Sequence, residues 1–252
     1  MYIDSSVVNF VETESADLKG YSLIEGFPGM GLIGTISAKF LSEKMGFKQI
    51  GYIESNMFLP IIRVHAGMPV HPSRIYVNHE KKIVLLLSEQ IIPQFVVEKL
   101  AKAIVEWIET KKIARIISLS GIRAVAEKGK EQKKIYGMAS DEKSMAMLKT
   151  HGIEIIKEGI TSGITAMILL ELKDKKIEAF SLLGNVEIAA DYKTSAALIQ
   201  KLGEMLSLEI DTKPLLKEAK ETEKALLQHL QQLKKAGQDA KEFEDVQTPM
   251  YT

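Results

Sequence analysis

Apolar and polar positions along this chain fall into two alternating rhythms. Short apolar runs of strand length, YSLIEGF (21–27), QIGYIE (49–54), ARIISLSGI (114–122), IYGMAS (135–140) and IEAFSLLG (177–184), are bounded by glycine, proline or charged residues. Between them lie segments with apolar residues three and four apart. In FVVEKLAKAIVEWIETK these fall at 96, 97, 100, 104, 107 and 108, the spacing of one helical face. LIGTISAKFLSEKMG (32–46), SMAMLKTHG (144–152), the glycine-bounded GITSGITAMILLELKDK (159–175) and TSAALIQKLGEMLSLEI (194–210) are the other expected helices, the first stopped by Gly46. An opening strand is expected around Val7 to Val11. RIYVNHEKKIVLLLSE is expected to form an antiparallel hairpin turning at Asn78 to Lys81, preceded by a loop through Pro60, Pro69 and Pro72. Strands alternating with helices predict a mixed central sheet covered on both faces, a three-layer α/β/α sandwich over residues 1–212.

The rhythm changes after Pro214. KPLLKEAKETEKALLQHLQQLKKAG predicts a charged helix over 213–237 in which Leu216, Ala219, Leu226, Leu230 and Leu233 form a narrow seam interrupted by Glu223. Its KEAKETEK run places opposite charges at helical i, i+3 and i+4 positions, as on a solvated face. Gly237 ends it. Residues 238–252, QDAKEFEDVQTPMYT, carry too few apolar groups to offset the entropy of ordering them, so a flexible tail is expected. That tail finishes in Met250, Tyr251 and Thr252: an apolar side chain, an aromatic ring with a hydroxyl, and a carboxylate. Such an end suits a pocket with a hydrophobic wall and a Lys or Arg at its base.

Composition narrows the classes. The chain has 252 residues, 46% hydrophobic and 26% charged, which is enough for one full-sized core and an appendage. Lys plus Arg equals Asp plus Glu at 33 each, so no global field favours nucleic acid or anionic lipid. Absence of cysteine removes disulfides, thiolate nucleophiles and cysteine-ligated metals, and suits a reducing cytosol. No signal peptide is expected at MYIDSSVVNFVETE, and no apolar run reaches the roughly 20 residues of a spanning helix.

Candidate chemistry is sparse. His65, His71, His79, His151 and His229 lack metal-ligand spacing; His65 and His71, in the proline-rich loop, are the two that lie near each other. Ser120 precedes Gly121, but position 118 is Ser, so no G-x-S-x-G elbow forms and a turn position is expected. Glu89, after three leucines, is a candidate buried carboxyl, with capping of a helix starting near Pro93 or pairing with a lysine as the plainer expectations. Eleven methionines, including Met138, Met145 and Met147, are candidates for an adaptable contact surface, with core filling the expected role of most of them.

One motif has dinucleotide form. Gly29, Gly31 and Gly34 in GMGLIG read G-x-G-x-x-G between a strand and a helix, and Glu54 closes the next strand 20 residues on. Pro28 stiffens the turn, however, and proline-rich loop and hairpin follow Glu54 rather than another βα unit. The favoured expectation is that Gly26, Gly29 and Gly31 form a tight strand-to-helix turn and Gly34 lets the helix pack closely on the sheet.

At this turn the chain resembles a known family. EGFPGMGLIGTISAKFLSEKMGFKQIGYIES, PSRIYVN, VLLLSEQIIP, IISLSGI and SLLGNVEIAADYKTSAALIQKLGEMLSLEID are similar to successive blocks of the proteasome assembly chaperone family in its archaeal form, over about residues 5–212. NVEIAADYK stands where many relatives have a glycine- and proline-rich stretch. The resemblance implies an α/β/α fold like that of nucleoside phosphorylases without a recognised active site, and homo-oligomers, with a second family member as a candidate partner; no cofactor or metal and a cytoplasmic setting are expected. It also implies, for some members, a C-terminal hydrophobic-Tyr-any motif that docks on the proteasome α-ring, which Met250, Tyr251 and Thr252 match position by position. The expected function is therefore a non-enzymatic proteasome-binding protein, an assembly chaperone or activator; the alternative is a nucleotide- or phosphate-binding enzyme using Gly26, Gly29, Gly31 and Gly34.

Overall fold

The structure is a computed structural model that describes residues 8–123, 134–186 and 188–217. Residues Met1–Ile210 form one compact unit and Asp211–Thr252 a second. In the second unit, residues 213–217 are helical and Leu215 is buried. The rest of the expected charged helix and the expected tail lie outside the described residues.

The first unit is built on a nine-stranded mixed sheet. Its strands are β1 (Asn9–Glu12), β2 (Ser22–Gly26), β3 (Lys48–Glu54), β6 (Ser73–Asn78), β7 (Ile83–Ser88), β8 (Arg115–Ile122), β9 (Ile135–Ala139), β10 (Glu154–Ile155) and β11 (Glu178–Asn185). The spatial order is β1-β3-β6-β7-β2-β8-β11-β9-β10. β7, β2, β8 and β11 run parallel at the centre, and antiparallel pairings extend the sheet on either side. β7 is buried along its whole length, as a central strand covered on both faces must be. Its apolar run IVLLL follows from that position.

Among the described residues five helices accompany the sheet: α1 (Ile33–Lys44), α2 (Gln94–Thr110), α3 (Glu142–Thr150), α4 (Ile164–Leu172) and α5 (Tyr192–Leu206). α1 packs with α5, and α2 with α4. Leu23, Val84, Leu86 and Ile116 join Leu100, Ile104, Ile108 and Ile168 in one core on the α2/α4 face. Ile24, Leu85, Leu87 and Ile117 alternate with them, pointing to the opposite face by the two-residue period of a strand. The sandwich of helices around a large sheet is thus the expected fold. The stripe in α2 is the expected one, with Val96, Leu100, Ile104, Trp107 and Ile108 buried and Val97 half-buried.

Several local expectations are corrected. The proline-rich loop holds a second, two-stranded sheet of β4 (Arg63–His65) and β5 (Met68–Val70). The segment 159–163 is loop, and α4 starts only after Gly163, whose φ of +88° an L side chain rarely adopts. Ser120 lies inside β8, paired with Leu183, rather than in a turn. β10, of two residues, is too short to leave a periodic signal.

Candidate functional site

Gly26, Gly29, Gly31 and Gly34 do sit at a strand-to-helix turn, where β2 passes through a 3-10 turn (Met30–Leu32) into α1. A Cβ on Gly26 would lie 2.4 Å from both the Ala38 Cβ and the Gly34 carbonyl oxygen. One on Gly34 would lie 2.4 Å from the Leu119 carbonyl oxygen and 2.7 Å from that of Phe27. These two glycines let helix backbone pack directly on strand backbone, as expected. Gly31 adopts φ +68°, and its Cβ position faces Val186 at 2.7 Å; its carbonyl accepts a 2.9 Å hydrogen bond from the Asp191 amide. Gly29 approaches the Ser120 hydroxyl, 3.2 Å from the position of an added Cβ. Protein atoms therefore fill the space beside each glycine.

Glu54 does end β3, but β7 and β6 stand between β2 and β3. Three strand spacings, roughly 14 Å, separate that acid's strand from the glycine turn. The dinucleotide geometry needs the acid on the strand beside the turn, so the sequence spacing is met without the spatial one.

Directly before Gly26 stands Glu25, which the sequence motifs do not single out. Its side chain is wholly buried on the α2/α4 side of β2. The Phe27 amide donates to Oε1 at 2.9 Å and the Thr165 hydroxyl, in the first turn of α4, to Oε2 at 3.2 Å. Ser118 is its register partner on β8. Burial raises the carboxyl to about 7, against the opposing pull of hydrogen bonds from Ser118, Phe27 and Thr165. The signal that could have revealed it is an acid inside an otherwise apolar strand, YSLIEGF.

Glu89 is reached by three cations. Arg74 Nη2 bonds to its Oε2, Arg63 Nε approaches the same oxygen at 3.0 Å, and Lys39 Nζ lies 3.8 Å from Oε1. Arg74 is almost wholly buried, and its guanidinium lies 5.7 Å from the centre of the Tyr76 ring. Beside this cluster, Ser73 and Ser88 share a 2.9 Å hydrogen bond and the Gln90 amide donates to Ser73 at 3.0 Å. α2 begins with Pro93 as its N-cap and no side-chain cap, so Glu89 does not cap it. Its partners are chiefly arginines on β4 and β6, which sequence spacing does not connect.

Three histidines make separate structural contacts, and His229 lies outside the described residues. His71 stacks on Tyr52 with ring centres 3.6 Å apart, Tyr21 and His79 share a 3.1 Å hydrogen bond, and His151 Nδ1 lies 2.9 Å from the Met147 carbonyl. Among the described residues no group of three or more His, Cys, Asp or Glu is placed to hold a metal. A cleft of about 850 Å³ beside β9 and β10 is lined by residues including Tyr136, Ile153, Ile156 and Ile160, and a smaller one of about 490 Å³ by residues between Gln200 and Ile210. Neither is lined by the glycine turn, Glu25 or Glu89. Met250, Tyr251 and Thr252 lie outside the described residues.

Comparison with known proteins adds what this geometry alone does not specify. The PAC2 family model matches residues 23–230. An uncharacterised protein of Methanocaldococcus jannaschii is 32% identical over 246 residues, covering 97% of this chain and 98% of that one. The crystal structure of Pyrococcus furiosus PbaA, described as an archaeal homolog of proteasome-assembly chaperone, is similar at 29% identity and a TM-score of 0.80, covering 91% of this chain and 99% of that one. Pyrococcus furiosus PbaB, described as an archaeal proteasome activator, shares the fold at 21% identity and a TM-score of 0.74, covering 88% and 98%.

Proposed function

Because the chain belongs to the PAC2 family, we propose that it is a proteasome-binding protein, an assembly chaperone or activator rather than an enzyme. The observation that carries this is the similarity to PbaA along nearly all of both chains. The glycine turn supports a binding role over a catalytic one, since its glycines are spent on packing α1 against β2 and β8.

The contact is proposed to be made by the last three residues. The Tyr251 ring fills an apolar pocket between neighbouring subunits of the proteasome α-ring and its hydroxyl hydrogen-bonds there. Met250 covers the apolar side, and the carboxylate of Thr252 pairs with a lysine at the pocket base. A single short peptide of this kind binds with roughly −4 to −6 kcal/mol, near-millimolar to tens of micromolar. Several tails on one scaffold raise that by about 10² to 10⁴ when they span the pocket spacing.

Surface plasmon resonance over an immobilised archaeal proteasome core particle tests this. Tyr251→Ala, and separately one residue appended after Thr252, should each weaken capture at least about tenfold while leaving thermal melting unchanged. Undiminished capture by both variants would exclude tail docking. Thermal stabilisation by a nucleotide, dinucleotide or phosphate would instead favour a ligand at the glycine turn.

A further inference from the structure

β2 and β7 lie side by side and run parallel, so their carboxyl ends emerge together at one edge of the sheet. From there the chain leaves in opposite directions. β2 turns into α1, whereas β7 leads to α2 on the other face, where Leu100, Ile104 and Ile108 join the α2/α4 core. Neighbouring parallel strands whose helices depart to opposite faces leave a crevice at their carboxyl ends, the place where open α/β sheets bind ligands. Glu89, the first residue past β7, stands there with its three cations.

The cluster is unbalanced in charge and in hydrogen bonding. Arg74 is the register partner of Leu87 and shares its face of the sheet, the side from which Lys39 of α1 reaches Glu89. Three cations against one carboxylate leave an excess of two positive charges in a partly buried place, which is costly until a counter-charge joins them. Glu43, one turn beyond Lys39 on α1, acts on Tyr76 but forms no ion pair with any of the three cations among the described residues. Arg74 is 3% exposed, yet its Nε–H is buried without a partner, a donor that native structures rarely leave unpaired. Arg63 meets Glu89 through Nε, and its terminal nitrogens have no protein acceptor among the described residues. Lys39 Nζ, 3.8 Å from Oε1, is too distant for a hydrogen bond, and its side chain is 41% exposed. No protein group among the described residues donates to Oε1 of Glu89, whereas Oε2 takes both arginines.

We propose that this crevice binds inorganic phosphate as the hydrogen phosphate dianion, held by Lys39 and Arg63 beside Glu89. Its two negative charges match the two unbalanced positive ones. Its oxygens accept from the Arg63 terminal nitrogens and the Lys39 ammonium. Its one proton is donated to Oε1 of Glu89, the carboxylate oxygen left without a donor. Sulfate has the same shape and charge but carries no proton at neutral pH, so the same carboxylate repels it. The site is independent of the tail and stands whether or not the tail docks.

Isothermal titration calorimetry of the full chain with phosphate and with sulfate, at equal ionic strength and near neutral pH, is the test. The wild type should bind phosphate at least about tenfold more tightly than sulfate. Lys39→Gln and Arg63→Gln, on partly exposed side chains, should each weaken phosphate at least about tenfold with unchanged circular dichroism. Lys102→Gln, which removes a cation on α2 paired with Glu98, should leave phosphate binding as it is. Thermal melting gives a second readout: phosphate should raise the melting temperature of the wild type and of Lys102→Gln, and do so less for the other two variants. Three results would overturn the proposal, and the first two need no variant. One is a wild type that does not bind phosphate. Another is a wild type that binds sulfate as tightly. The third is phosphate binding that survives Lys39→Gln or Arg63→Gln undiminished, which would place the anion elsewhere, as at the glycine turn.

Discussion

Glu25 shows how burial changes the meaning of a single residue. In a composition table it is one of 33 acids; in the structure its carboxyl is wholly buried between β2, β8 and α4 and raised from 4.5 to about 7. The folded chain therefore holds a proton that the unfolded chain releases near 4.5. Between those values the folded state binds more protons, so stability falls as pH rises from about 4.5 to about 7, and the penalty is complete above that. The full shift corresponds to roughly 3 kcal/mol. Glu25→Gln should thus stabilise the protein at pH 8 by up to about that amount, with little gain at pH 4.5. Urea denaturation of the two proteins at both pH values checks the sign; an equal gain at each would show that the carboxyl's ionisation is not the cause. The glycines make the complementary point. Gly26, before the motif, and Gly34, within it, act alike in packing, whereas Gly31 is set apart by a positive φ that spacing does not reveal.

The elements are joined by polar contacts as well as apolar ones. Glu89 follows β7 directly and draws together Arg74 on β6, Arg63 on β4 and Lys39 on α1. Removing it leaves the nearly buried Arg74 charge without its carboxylate, and breaking such a pair from one side costs about 3–5 kcal/mol. Glu89→Ala should therefore lose about that much stability in denaturant, and Arg74→Met in the same background should recover most of it. A double variant no more stable than Glu89→Ala would show that the stranded charge is not the cause. At this scale the periodic segments were legible: α2, β7 and β8 announce themselves through runs long enough to repeat a rhythm. The β4–β5 ribbon was not, because its strands have three residues each, Pro69 lies within β5, and Pro60 and Pro72 flank the ribbon. The late start of α4 was hidden too, since ITSG continues an apolar sequence while Gly163 takes a conformation the pattern does not encode.

At the scale of the molecule, function as proposed depends on arrangement more than on any one site. A tail of modest affinity becomes effective when several are carried together, so a variant that prevents self-association while keeping Met250, Tyr251 and Thr252 should lose about 10² to 10⁴ in apparent affinity for the proteasome core particle. Surface plasmon resonance with a free peptide of residues 238–252 in place of the full chain measures this, and affinity equal to the full chain's would mean that one tail suffices. The sequence by itself determined the alternation of strands and helices, the sandwich class and the family blocks, because each of these is written in local periodicity and adjacent residues. It also held the glycine turn's packing role, since a proline and a following hairpin already argued against a dinucleotide. Only the tertiary structure decided that two strands separate Glu54 from that turn, that Glu25 is dry, and that Glu89 gathers cations from three elements. The physical reason is common to all three: strand order and burial come from contacts between residues distant in the chain, and a side chain's charge state and exposure are set by those neighbours rather than by the residues beside it.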